Sequence, residues 1–305
     1  MRSPTLEPLP IGGRAVLAAL IWTGLGGLAF GGDADDDAGS SQAPPNVYLD
    51  MRTNYASVPA GSLPIWLGGS ALFTALHRIV FMNAQTPAAL TGGSLPPVQA
   101  AGVDLPLTVD VSDRVSLYAG ISATSTEAGS GWSAPAITSW NVGFQADVYQ
   151  QNGGSIPTVT WQSTITQSIP NGAFATTTFT NIVELDYAFD KDETRGLLAG
   201  FQDTRVEVGS TLARIHPSVI GFVGGYYQWP DNWKFTARAG VQHFGGAQLL
   251  NIASIQPFTE PIVRFDLDRM DDSDNRLFGV TAQVMWVPKP AYQLMLRTPL
   301  YFARH

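Results

Sequence analysis

The amino-acid sequence predicts an all-β fold: a transmembrane, antiparallel, up-and-down β-barrel of about twelve strands, within a range of roughly ten to fourteen. Three features lead there. Apolar and polar residues alternate along most of the chain, the pattern of strands with two unlike faces, because successive side chains point to opposite sides. The alternating segments run to about 9–13 residues. That length suits a membrane-crossing strand of roughly 9–11 residues tilted near 45° better than the strand of about 5–6 residues usual in water. Short and long links also fall in the asymmetric arrangement of barrels that carry tight turns on one rim and long loops on the other.

The N-terminus reads as an export leader. Arg2 and Arg14 give a basic start, and "AVLAALIWTGLGGLAF", Ala15 to Phe30, is an uncharged apolar stretch. Ala29 and Gly31 are the small residues of a cleavage site. A transmembrane anchor is the competing reading, but the stretch is short for a span of roughly 20 residues. The expected organisation is a cleaved signal peptide over 1–31, a flexible mature N-terminus over 32–45 and one barrel domain over 46–305.

Strands follow in order. In "NVYLDMRTNY", Val47, Leu49, Met51 and Tyr55 share one face, and Asp50, Arg52 and Asn54 the other. Residues 103–123 read as a hairpin turning at Ser112-Asp113, with Asp104 and Asp110 on its polar row. "SWNVGFQADVYQ" sets Trp140, Val142, Phe144, Ala146 and Val148 against Asn141, Gln145 and Asp147. A Thr-rich strand, "TVTWQSTITQ", follows an "NGGS" turn. "NIVELDYAFD" and "RGLLAGFQDTRVEV" make the next pair, "SVIGFVGGYYQW" and "NWKFTARAGVQ" another. "PIVRFDLDRM", "LFGVTAQVMW" and "AYQLMLRTPLYF" close the series.

Tight turns are expected near Ser112, Asn152, Asp192, Asp231 and Lys289, and long links at 58–102, 125–135, 209–216 and 244–259. Two regions resist this scheme. Residues 58–102 hold "LPIWLGGSALFTALHRIVFM", too apolar for an ordinary external loop; a short helix or plug that caps the barrel, or further strands, would account for it. Parity also breaks near 244–275, where a single excursion or an extra pair of strands is needed.

Composition narrows the function. Only 14% of residues are charged, the net charge is −8, and mean hydropathy is +0.05. No basic run is present, so nucleic acid is not an expected partner. The absence of cysteine removes disulfides, thiolate metal sites and cysteine nucleophiles. Alternation alone does not separate a barrel in lipid from a secreted soluble β-sandwich, since both bury one row. The leader, the strand length and aromatics near strand ends favour lipid. Trp140, Trp233, Phe235, Trp286, Tyr292 and Phe302 are the expected lipid-facing residues and aromatic girdle.

The charges of Glu184, Asp186, Lys234, Arg238, Arg264, Asp266, Asp268 and Arg297 all fall on the opposite parity, that of a lumen. Segregation has a cause: Arg or Lys on the lipid face near mid-bilayer costs roughly 2–4 kcal/mol. These eight residues are the candidates for lumen and selectivity roles. They either pair into salt-bridge ladders that fill the lumen or leave unpaired members along a solute path.

The hairpins "LPLTVDVSDRVSLYAGIS", "SVIGFVGGYYQWPDNWKFTARAG" and "GVTAQVMWVPKPAYQLMLRTP" resemble those of bacterial outer-membrane transporter-like barrels of the phenol-degradation MetA-pathway family. The resemblance covers roughly residues 100–302 and has no counterpart for 58–102. It implies a barrel serving uptake of organic compounds, and it supplies no catalytic residues.

A search for chemistry gives no catalytic site. His77, His216, His243 and His305 stand outside any Ser/His motif, no GxSxG is present, and no spacing suits zinc. "DDSDN" at 271–275 reads as a solvated turn rather than a calcium loop. The expectation is a non-enzymatic, porin-like barrel of the Gram-negative outer membrane that passes small organic solutes, aromatic ones included, with no cofactor and no metal. Outer-membrane lipid and the barrel-assembly machinery are its expected partners. The alternatives are a structural or enzymatic barrel with a filled lumen and the secreted sandwich.

Overall fold

The computed structural model describes residues 45–68, 97–127, 131–169, 175–211, 213–249, 253–272, 275–287 and 289–303. The leader expected over 1–31, nearly all of the N-terminal segment 32–45, and His77 and His305 lie outside them.

Fifteen strands form among the described residues. Twelve close into one antiparallel barrel. They are β1 (Asn46–Val58), β2 (Val98–Ser112), β3 (Val115–Glu127), β4 (Ala136–Tyr149), β5 (Thr158–Ser168), β6 (Thr176–Ala188), β7 (Arg195–Val208), β9 (Ser218–Gln228), β10 (Trp233–Phe244), β13 (Phe258–Met270), β14 (Arg276–Trp286) and β15 (Pro290–Ala303). Each pairs with the barrel strand next to it in the chain, and β1 pairs with β15. Closure leaves no unpaired sheet edge, the condition for strands to cross lipid. A two-sheet sandwich is therefore excluded. The remaining strands, β8 (Ala213–Ile215), β11 (Ala247–Leu249) and β12 (Ala253–Ile255), make a small separate sheet with β11 in the middle.

Links 113–114, 150–157, 189–194 and 229–232, and the passage from Asp271 to Asn275, two residues that bond each other, share one rim with both ends of the barrel. On this rim Asn152 and Asn232 hold left-handed backbone, φ 44° and 63°, which asparagine tolerates better than most residues. Asp190 accepts from the Thr194 amide at 2.8 Å, from the Thr194 hydroxyl at 2.9 Å and from Arg195 Nε at 3.2 Å. The amide bond first, and then these other donors, hold its carboxyl below the usual range. The other rim carries the strand ends Val58, Glu127, Ser168, Val208, Phe244 and Trp286, and the barrel-strand starts that follow them.

Two sequence expectations are corrected here. The tight turn at Lys289 sits on the long-loop rim, and 271–275 supplies the fifth tight turn of the short-turn rim. There Asp271 accepts from the Asn275 amide at 2.8 Å. The parity break near 244–275 has the same origin: β11 and β12 make an excursion, and β13 then returns through the wall. The insertion is also shorter than 58–102, because β2 begins at Val98.

Rings on the wall lie against glycines of neighbouring strands. Tyr118 of β3 crosses Gly143 of β4 and meets Thr164 Oγ1 of β5 at 2.5 Å. Phe222 of β9 covers Gly200 of β7, and Tyr226 covers Gly196. A methyl group at Gly200 would clash with the tip of the Phe222 ring. Gly200→Ala is expected to destabilise the barrel by about 1–3 kcal/mol, as overpacking does, and a urea titration of the folded barrel checks it.

Residues 59–68 turn inward from the end of β1. Ser62 to Leu67 are all buried, and among the described residues this segment holds no helix. Trp66 and Leu67 pack among inward-facing Val58, Ala100, Ile220, Phe222, Ile262 and Met285. Leu63 and Ile65 pack against Phe244, Ala213, Ile215 and Ala247, beneath the small sheet. An apolar layer thus crosses the lumen near the long-loop rim.

Candidate functional site: the lumen below the inward segment

Beneath that layer lies a cavity of about 610 Å³, roofed by Ile65 to Gly68. Its wall has two unlike arcs. Arg52 of β1, Arg297 of β15, Arg264 of β13 and Arg238 of β10 make a cationic one. Tyr118, Asn141, Gln145, Gln162, Thr164 and Thr180, from β3 to β6, make a neutral one. Alternation explains both, since every second residue of each strand must face inward.

The cationic arc is organised by one carboxylate. Asp266 accepts from Arg264 Nε and Nη2, each at 2.9 Å, from Arg238 Nη1 at 3.1 Å and from Arg297 Nη2 at 2.8 Å. The Thr281 hydroxyl adds a bond of 2.5 Å. Arg238 also reaches Glu184 with Nε at 3.1 Å and Nη2 at 3.3 Å. To do so it passes Gly224, where a Cβ would lie 3.1 Å from its Cγ. Asp268 takes Arg276 at 2.9 Å and Arg297 at 3.5 Å. Lys234 Nζ stands 4.5 Å above the ring of Tyr226, whose hydroxyl bonds Asp186.

The same network holds the roof. Arg264 Nη1 donates to Leu67 O at 2.8 Å. Gln202 of β7, fully buried, donates to Trp66 O at 3.0 Å and accepts from the Gly68 amide at 2.8 Å. The Ser62 hydroxyl bonds Val287 O. Gly68 has φ +86°, and a Cβ there would come 2.5 Å from Arg264 Nη1. Glycine is therefore what lets the guanidinium approach the backbone.

The structure places all eight predicted charges on the inner side of the wall. Trp140, Trp233, Phe235, Trp286 and Tyr292 lie on the outer side, with Phe235 stacked on Phe265 at 6.1 Å. Phe302 is a correction. Leu49 pairs with Tyr301 but Asp50 with Pro299, so Leu300 is an extra residue that reverses the alternation. Phe302 therefore shares the inner side with Tyr48, 5.1 Å between ring centroids, and Tyr301 turns outward, 57% exposed.

Sequence reasoning missed Arg52 and Asp104 as site residues, although both stand on the polar parity of their strands. It also missed Gln202 and Trp66, because a buried glutamine on an inner face and a tryptophan in an apolar run carry no distinguishing pattern. His243 accepts or donates at Nδ1 with Thr259 Oγ1 at 2.9 Å, away from the lumen. Among the described residues no group of three or more His, Cys, Asp or Glu is arranged to hold a metal.

No protein-family model and no curated protein matches the chain. Solved structures of similar shape include an outer membrane channel from Pseudomonas putida F1, with a TM-score of 0.49 and 9% identity over 87% of this chain and 100% of that one. The translocator domain of the autotransporter NalP from Neisseria meningitidis scores 0.43 at 11% identity, over 95% and 96%. The CymD monoaromatic hydrocarbon channel scores 0.37 at 10% identity, over 85% and 88%. At such scores and identities these likenesses bear on neither solute nor mechanism, and the phenol-degradation family stays a resemblance of hairpin motifs.

Proposed function

We propose that the chain is a non-enzymatic outer-membrane barrel through which small organic solutes pass, with residues 59–68 as a constriction across its lumen. The observation that carries this reading is the cavity of about 610 Å³ beneath the inward segment. Among the described residues, side chains do not fill the lumen there, and its polar wall suits water. The outer face supports the membrane part. Leu197, Phe201, Val223, Phe265 and Leu296 are among its exposed apolar residues. Such a continuous apolar surface would aggregate in water. Toward the long-loop end of β7 the outer face turns polar, with Arg205 and Asp203 paired at 2.9 Å, as expected where a strand leaves the hydrocarbon. Export by a cleaved leader and insertion by the barrel-assembly machinery belong to the same reading.

The constriction is held by few bonds, so releasing one partner should open it. Gln202→Ala removes two hydrogen bonds to the inward backbone, each contributing about 1 kcal/mol. Single-channel conductance in planar bilayers is expected to rise several-fold in this variant over a small wild-type value. Absence of current from both would favour the filled-lumen alternative instead.

A further inference from the structure

We infer that the lumen cavity is a binding site for an organic monoanion, a carboxylate attached to a flat apolar group, with Arg52 as its principal cation. The inference deepens the passage reading and rests on its open lumen.

The charges are arranged at a cost to the fold. Arg52 stands directly opposite Arg297 in the β1–β15 register, and Arg238 directly opposite Arg264 in the β10–β13 register. Like charges so placed repel. Asp266 relieves three of the four, since Arg238, Arg264 and Arg297 all pair with it. No carboxylate pairs closely with Arg52 among the described residues, and Asp50 and Asp104 act on its charge only from farther off. Its register neighbour on β2, Asp104, is engaged by Asn54 Nδ2 at 2.5 Å and by Ser122. The Nε atoms of Arg52 and of Arg297 are both buried without a hydrogen-bond partner. Unmade donors of this kind are costly, more so on a charged group.

Charge and shape then define the ligand class. Four guanidinium groups and two carboxylates, Asp104 and Glu184, line the cavity, while Asp266 and Asp268 pair with Arg238, Arg264 and Arg297 and leave Arg52 aside. Arg52, whose Nε has no hydrogen-bond partner, has donors for one carboxylate, which a guanidinium fork receives in two parallel bonds. Half-buried Ile182 and Met295 line the same cavity beside the buried Ile65, Trp66 and Phe222 and provide the apolar surface for a ring or short chain.

Calorimetric titration of the full-chain barrel in detergent, with benzoate and with benzyl alcohol, tests this. Both probes carry the same ring, and only benzoate is charged. Benzoate is expected to bind at least about tenfold more tightly, the scale of a charge-assisted hydrogen bond. Arg52→Gln should remove that advantage and leave benzyl alcohol unchanged; Arg52→Lys should keep part of it. Equal affinity of the two probes for the wild-type barrel would overturn the inference without recourse to any variant. So would an Arg52→Gln barrel that binds benzoate as before. Conductance of the same preparation separates the two readings. Current without benzoate binding defeats the anion site alone, whereas benzoate binding without current defeats passage and leaves the site.

Discussion

Replacing Asp266 with alanine is expected to cost the barrel about 3–5 kcal/mol, the range for removing one partner from a buried ion pair. Asp266 is 3% exposed. It is the one carboxylate shared by Arg238, Arg264 and Arg297. Without it Arg264 and Arg238 remain face to face, as do Arg297 and Arg52, and Glu184 alone is left to Arg238. The Thr281 hydroxyl also loses its acceptor. The temperature at which the SDS-resistant form changes mobility should fall, and the urea midpoint with it. Asp266→Asn should fall nearly as far, because the amide keeps the shape but not the charge. An unchanged midpoint in both would mean that lumen water, rather than Asp266, screens the arginines.

Trp66→Ala is expected to have the other large effect, on the constriction rather than the wall. Truncating a fully buried tryptophan costs about 3–5 kcal/mol, and here that packing is between the inward segment and the barrel. Trp66 is 1% exposed and meets inward-facing residues of several strands. The twelve-strand hydrogen-bonding of the wall does not depend on it. Conductance should therefore rise more than in Gln202→Ala, while the mobility-shift temperature changes less than in Asp266→Ala. A Trp66→Ala barrel with wild-type conductance would mean that residues 59–68 do not limit passage.

Much of this architecture is legible in the sequence for a physical reason. A wall between two solvents forces a choice at every second residue, so "NWKFTARAGVQ" announces its two faces by itself. The inner charges of β6, β10 and β13 follow from parity alone. Parity fails where the backbone gains a residue. Leu300 bulges between Pro299 and Tyr301, and nothing in "RTPLYF" distinguishes that residue from its neighbours, so parity alone puts Phe302 on the outer face. Turn composition likewise does not reveal the rim: "PKP" reads as a tight turn and "DDSDN" only as a solvated one, and the number of strands between them decides which rim each occupies. The inward segment is the least legible part. Its apolar residues satisfy burial anywhere, and only contacts such as Gln202 with Trp66 O, 136 residues apart, place it in the lumen. The site's electrostatics are intermediate in this respect. Arg52 can be read as inward-facing from sequence, but its lack of a carboxylate partner depends on Asp104 bonding Asn54 instead.

The orientation of the two faces of β10 is the point on which the whole account turns, and the absence of cysteine from the chain makes it directly measurable. Single cysteines placed from Phe235 to Val241 can carry a fluorophore in barrels reconstituted with brominated lipids. The account predicts quenching by the acyl chains at Phe235, Ala237 and Ala239, and none at Thr236 and Arg238, whose cysteines should instead react with a water-soluble thiol reagent. Quenching at neither set, or at Thr236 and Arg238 rather than Phe235 and Ala237, would contradict a lipid-facing apolar row around a hydrated lumen.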